Sequence, residues 1–123
     1  MQTAEKLEEF RQSWRPTPEK IDLAVQRAVA VASPSRVFIF GSWARGEATP
    51  VSDLDLAIFF ADDRKAELGE LRQKIRTALD PIPMSIDLIV ASEGYVSEFL
   101  SSVNSVYYKI VHGGKLVYDE RNR

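Results

Sequence analysis

Two apolar runs sit so close together that they restrict the fold before any other feature does. Residues 36–40 read RVFIF, a fully apolar strand of the kind found inside a sheet covered by helices. Residues 53–60 read DLDLAIFF, a second strand. Only about seven helix-like residues fit between them, too few for the full helical crossover that joins parallel neighbours. These two strands are therefore expected to be antiparallel or linked by one helical turn. A third strand, MSIDLIV at residues 84–90, follows the stretch DRKAELGELRQKIRTALD. That stretch puts Leu68, Leu71, Ile75 and Leu79 on one face of a helix, and Pro81 terminates it.

Helical patterns fill most of the remaining chain. Thr17 and Pro18 have the residue types of an N-cap and a first helical position, opening a helix whose inward stripe would be Ile21, Val25, Ala28 and Val29. Pro34 ends it. SEGYVSEFLSS and NSVYYKIVHGG read as two short helices, the second closed by Gly113. KLVY, at residues 115–118, is either a small edge strand or an extended tail. Ahead of all these, Leu7, Phe10 and Trp14 recur at helical spacing until Pro16, so residues 1–15 are expected to form an accessory N-terminal helix. Its stripe either packs back on the body or makes an oligomer contact. The expected class is α/β (α+β), a small mixed sheet of three to four strands flanked by helices. A chain of 123 residues has room for one domain spanning residues 1–123.

Composition narrows the function. There is no cysteine, which removes disulfides, zinc thiolate sites and cysteine nucleophiles and fits a reducing compartment. The opening MQTAEKLEEF lacks the apolar core of a signal peptide, and no apolar run approaches a membrane span, so a cytoplasmic protein is expected. The 16 Lys+Arg against 18 Asp+Glu give a formal charge of −2. That balance supplies no overall electrostatic reason to bind nucleic acid, although it leaves room for a small basic patch.

Chemistry concentrates in three aspartates and a turn. Side chains alternate along a strand, so Asp53 and Asp55 project from one face while Leu54, Leu56 and Ile58 fill the other. Two carboxylates this close stay ionised only with a cation between them. Taken alone, the pair equally fits a strand that begins near solvent. In the third strand Met84, Ile86, Leu88 and Val90 form the apolar series, and Asp87 falls on the side of Asp53 and Asp55 if both apolar series face helices. A charge inside so apolar a strand is costly unless it is paired or bound to metal, and neither strand contains a Lys or Arg. A distant salt-bridge partner would also satisfy Asp87. Three carboxylates without His or Cys suit hard cations such as Mg²⁺ or Mn²⁺. Where the first strand ends, Gly41 and Ser42 open a turn of helix, SWARGE, whose first amides and Ser42 hydroxyl can receive phosphate oxygens. Arg45, one turn on, adds a cation. Gly-Ser is also an ordinary turn.

The stretch GSWARGEATPVSDLDLAIFF followed by MSIDLIV resembles the signature of the DNA polymerase β-like nucleotidyltransferases: Gly-Ser, ten residues, Asp-x-Asp, and a third Asp on a later strand. The GSWARGEA wording and the short chain are most similar to the minimal nucleotidyltransferases (MNT), which occur beside small all-helical HEPN-domain proteins. The resemblance implies a polymerase β-like core in which Gly41, Ser42, Arg45 and Ser52 contact the nucleotide. It also implies that Asp53 and Asp55 hold two Mg²⁺ or Mn²⁺ ions, and that Asp87 ligates one of them and helps activate an acceptor hydroxyl. The implied reaction is transfer of a nucleoside monophosphate, AMP from ATP or another from its NTP, with release of pyrophosphate. The implied acceptor is a tyrosine of a HEPN-type toxin that the chain silences as its antitoxin. Two other readings stay open: a small-molecule (aminoglycoside-like) nucleotidyltransferase, or a binding antitoxin without catalysis. Because larger relatives carry a further domain for base or acceptor, the acceptor half of this site is expected from a partner protein or a second copy of the chain.

Three aromatic features stand outside that signature. Trp43 is either packing or a lid on the pocket. His112, the only histidine, stands at a helix end where it can favour the C-terminal dipole, and the implied chemistry needs no histidine. Tyr107 and Tyr108, being adjacent, are expected to diverge into one core and one exposed residue. The charged run DDRKAELGELRQK reads as the solvated face of its helix.

Overall fold

The structure is a computed structural model that describes residues 5–6, 14–49 and 51–122. Leu7 and Phe10, and with them most of the expected N-terminal helix, lie outside the described residues. Helix α1 (Pro18–Ala32) starts as its sequence dictates: the Lys20 amide donates to Thr17 Oγ1 at 3.2 Å, with Pro18 in the first turn. At its far end Ser33 turns left-handed (φ 49°) and donates to the Val29 carbonyl before Pro34. Its buried stripe is Ile21, Ala24, Ala28 and Ala32, with Val25 and Val29 only partly covered. The expected stripe was therefore rotated. Small side chains take the innermost line because they let α1 close against helix α3 (Leu68–Leu79).

The sheet is mixed and runs β3-β2-β1-β4. Strand β1 (Arg36–Phe40) pairs antiparallel with β2 (Leu54–Phe60), and the connection holds one helical turn, α2 (Ser42–Arg45). Both halves of the expectation for this connection are met together. β2 pairs parallel with β3 (Ile86–Ser92), and the intervening 3-10 turn (Asp62–Glu67) and α3 supply the crossover. The expected single helix over residues 63–80 is thus two elements. β4 (Lys115–Asp119) is an edge strand on β1, not a tail. α4 (Glu93–Glu98) and α5 (Val106–Gly113) are capped by the Ser92 and Ser105 hydroxyls, and α5 stops at Gly114, one residue beyond the expected Gly113.

Strand alternation divides the apolar side chains between two faces. Val37, Ile39, Leu54, Leu56, Ile58, Phe60 and Leu88 pack with α1 and α3. Phe38, Ala57, Phe59 and Ala91 pack on the other face with Val96 of α4 and Ile110 of α5. Charges from the run at residues 62–74 also take part. Arg64 Nη1 donates to the Ala32 and Ser33 carbonyls at 2.6 and 2.8 Å, closing the C-terminus of α1, and Asp62 accepts from the Gly94 amide at 2.6 Å. That run is therefore more than a solvated face: two of its charges cap neighbouring backbone. Among the described residues, no helix is long and apolar enough to cross a membrane.

Candidate active site

The site lies at one end of the sheet, where β1 finishes and β2 and β3 begin. Gly41 follows Phe40 directly, and Phe40 stands opposite Asp55 across the β1–β2 ladder. Its backbone angles, φ 71° and ψ −149°, belong to a region that is nearly glycine's alone. A Cβ built on Gly41 would collide with Asp55 Oδ2 and approach Asp55 Cγ to 3.1 Å. Glycine is thus required twice, by conformation and by the carboxylate pressed against it. α2 begins at the next residue, Ser42, with its first amides lacking acceptors inside the helix. Gly46, left-handed at φ 72°, closes α2 by donating to the Ser42 carbonyl.

Two of the three aspartates stand side by side. Asp55 and Asp87 are register partners in the parallel β2–β3 pair, so their side chains leave the same face. A hydrogen-bonding contact with the Asp87 carboxyl is among the influences on Asp55. Burial pushes the Asp55 carboxyl above the ordinary carboxylate range. The Asp87 charge, that contact and the Asp53 charge push it further, and Arg45 opposes them. One expectation is corrected here. Asp87 is not a charge buried inside an apolar strand, because β3 is a sheet edge and Asp87 is exposed near its start; the partly buried carboxyl is Asp55, on an inner strand. Asp53 precedes β2 in the loop and is exposed. Among the described residues, no three His, Cys, Asp or Glu side chains stand as a finished metal cage. The donor set nonetheless fits a hard divalent cation. It offers oxygen ligands only, and a cation beside Asp55 and Asp87 would offset the charge repulsion that raises the Asp55 carboxyl.

The other expected residues have partners already. Arg45 pairs with Glu47, Nε to Oε2 at 3.0 Å, and both side chains are largely exposed. Ser52 Oγ accepts from the Thr49 amide at 2.9 Å, so it shapes the loop that delivers Asp53. Trp43 packs against the α1–α3 core and is not a lid; its buried indole N–H finds no hydrogen-bond partner among the described residues. Tyr107 and Tyr108 meet different neighbours, but the expected split into one core and one exposed residue is not found. Tyr107 joins Phe59, Tyr95 and Phe99, while Tyr108 lies on the His112 ring with centroids 4.2 Å apart, and each is partly buried.

Beside Gly41 opens a cleft of about 470 Å³ whose opposite wall is α5. Gly41 and Arg45 line it on one side, and Tyr108, Lys109 and His112 on the other. Lys109 escaped the sequence reading altogether. The only signal for it was the three-residue spacing of Lys109 and His112, which puts both on neighbouring positions of one helix face.

With this geometry described, the comparisons with known proteins are specific. The family described as "Polymerase beta, Nucleotidyltransferase" matches residues 19–123. The chain belongs to that family, and nucleotidyl transfer is the activity the family's description names. Among solved structures, it is similar to a presumed nucleotidyltransferase from Sulfolobus solfataricus. That likeness has 19% identity and a TM-score of 0.52, covering 86% of this chain and 92% of that one. A toxin-antitoxin structure with AMP-PNP is 25% identical over 80% of this chain and 73% of that chain, with a TM-score of 0.48. None of the curated proteins matches the chain.

Proposed function

We propose that this chain transfers a nucleoside monophosphate, AMP from ATP, to a hydroxyl and releases pyrophosphate. The observation that carries the reading is the Asp55–Asp87 carboxyl pair abutting Gly41, where the backbone approach that glycine permits meets oxygen ligands. Asp53, Asp55 and Asp87 would hold two divalent ions, Mg²⁺ or Mn²⁺, which when bound neutralise phosphate charge and stabilise the attacking and leaving oxygens. Ser42 and the first amides of α2 bind phosphate oxygens, and Arg45 adds positive charge after leaving Glu47. The acceptor oxygen forms a bond to the α-phosphorus as the α–β bridging bond breaks, and pyrophosphate departs. The hydroxyl proton passes to a carboxylate oxygen of the cluster, and Asp87, exposed at the start of edge strand β3, is assigned that role. Little beyond positioning and charge neutralisation is asked of the protein.

The acceptor in this reading is a tyrosine of a HEPN-type helical toxin, silenced by the modification, which makes the chain an antitoxin of the minimal nucleotidyltransferase kind. Support for that partner is the sequence resemblance of GSWARGEATPVSDLD. The test is transfer of label from α-labelled ATP, with Mg²⁺, to the product of a neighbouring gene. Wild type should label it, and Asp53→Asn and Asp87→Asn should not. Labelling that survives those substitutions removes the aspartates from the reaction. Label found only on a small molecule refutes the antitoxin role, and neutralisation of the partner without any labelling refutes catalysis.

A further inference from the structure

The cleft between α2 and α5 differs in charge from the carboxylates beside it. Its lining includes Arg45, Lys109 and His112 and contains no acidic residue. Gly41 borders both the cleft and the Asp55 carboxylate, whose register partner is Asp87. A cation-lined cleft and an anionic cluster separated by one glycine match a ligand that carries metal at one end of a polyanion. At about 470 Å³ the cleft is in the size range of small-molecule sites. Lys109 forms no ion pair among the described residues. The exposed Arg45–Glu47 pair is of a kind worth only about 0–1 kcal/mol, so a phosphate can displace Glu47. Tyr108 and His112, with ring centroids 4.2 Å apart, present an aromatic surface on the same wall. Such surfaces accept a base face by stacking, with little regard to its hydrogen-bonding edge.

We infer that α5 supplies the nucleotide subsite, with Lys109 joining Arg45 on the polyphosphate and the Tyr108–His112 pair carrying the base. This inference rests on the proposed nucleotidyl transfer and adds to it residues outside the Gly-Ser and aspartate motifs. Lys109 and Tyr108 are adjacent in the chain yet have separable tasks, because one reads charge and the other offers a ring.

The test is calorimetric binding, with Mg²⁺, of an ATP analogue whose α–β bridge is methylene, and of inorganic tripolyphosphate. Neither probe can be turned over, so affinity is read apart from activity. Lys109→Ala should weaken both probes about tenfold, the effect of one charge-assisted contact. Tyr108→Leu should weaken the ATP analogue by about tenfold, the loss of one stacking contact, and leave tripolyphosphate unchanged. Lys74→Ala, on α3, should bind as wild type, and thermal melts confirm that each variant is folded. If wild type binds and both α5 variants bind equally well, the subsite assignment is wrong while the transfer reading stands. If wild type binds neither probe at millimolar concentration, the transfer reading itself fails.

Discussion

Replacing Gly41 with alanine separates what the backbone demands from what Asp55 demands. At φ 71° and ψ −149° an alanine is strained by about 1–3 kcal/mol. The new Cβ would also meet the Asp55 carboxylate, and the overpacking adds a further loss of about 1 kcal/mol. Gly46 provides the reference: its φ is also positive, 72°, but a Cβ there meets nothing within 4 Å. Gly46→Ala should therefore cost only the left-handed penalty of about 1–2 kcal/mol. In a domain of this size each kcal/mol is worth about 4 °C, so Gly41→Ala should melt about 10 °C below wild type and Gly46→Ala about 5 °C. Urea unfolding followed by circular dichroism, repeated in an Asp55→Ala background, completes a double-mutant cycle. With Asp55 truncated the collision disappears and the backbone strain remains, so Gly41→Ala should cost about 1 kcal/mol less there. Equal costs for Gly41→Ala in the two backgrounds, or a cost no greater than that of Gly46→Ala, would refute the close packing of Gly41 on Asp55.

Three further substitutions test the surroundings. The Asp55 carboxyl is raised by burial and neighbouring carboxylates, so its stabilising contribution is full below the ordinary carboxylate range and is lost as pH rises through its folded value. Asp55→Asn should accordingly gain on metal-free wild type as pH rises above the ordinary carboxylate range. Added Mg²⁺ should narrow the gap, and a pH-independent gap counts against the carboxylate cluster. Trp43→Phe removes a buried N–H without a partner among the described residues, a group whose burial costs about 1–3 kcal/mol, and should melt at or above wild type. A melt well below wild type would mean that the indole N–H is satisfied. Glu93 accepts from Ser35 Oγ at 2.6 Å and from Arg36 Nε and Nη2 at 2.9 and 2.7 Å. Glu93→Ala should cost about 2–3 kcal/mol by leaving a half-buried guanidinium unpaired. Because Arg36 opens β1 and Gly41 follows its end, nucleotide affinity of the folded protein should not change, and a loss of affinity would contradict that separation.

Local rules made much of this legible in advance. RVFIF and DLDLAIFF read as strands, and the short distance between them left antiparallel pairing or one helical turn, of which the structure has both. The period-2 alternation that carries Leu54, Leu56 and Ile58 into the core also sends Asp55 the opposite way, while Asp53 stands just before the strand. What failed depended on neighbours that no local pattern specifies. Strand order makes β3 an edge, which is why Asp87 is exposed and the desolvation falls on Asp55. The closeness of α1 to α3 selects alanines over valines for the inner line. Lys109 could not be foreseen, because its relevance depends on α5 folding back across the end of β1, some seventy residues earlier in the chain.

The aspartate face is covered unevenly, and helix length explains why. Ala57, Phe59 and Ala91 are buried beneath α4 and α5, yet one ladder position further along, Asp55 is only partly buried and Asp87 is exposed. α4 has six residues and α5 eight, so at about 1.5 Å per residue neither spans the length of the seven-residue strand β2. Had α5 been two turns longer, it would have sealed the strand ends and left the carboxylates with neither solvent nor counter-charge, an arrangement too costly to persist. The shortness of α5 leaves the strand ends open and positions its final turn, with His112, at the side of Gly41. The opening of the carboxylate cluster and the placement of the cation-lined wall thus follow from one structural cause. Extending α5 should damage both together.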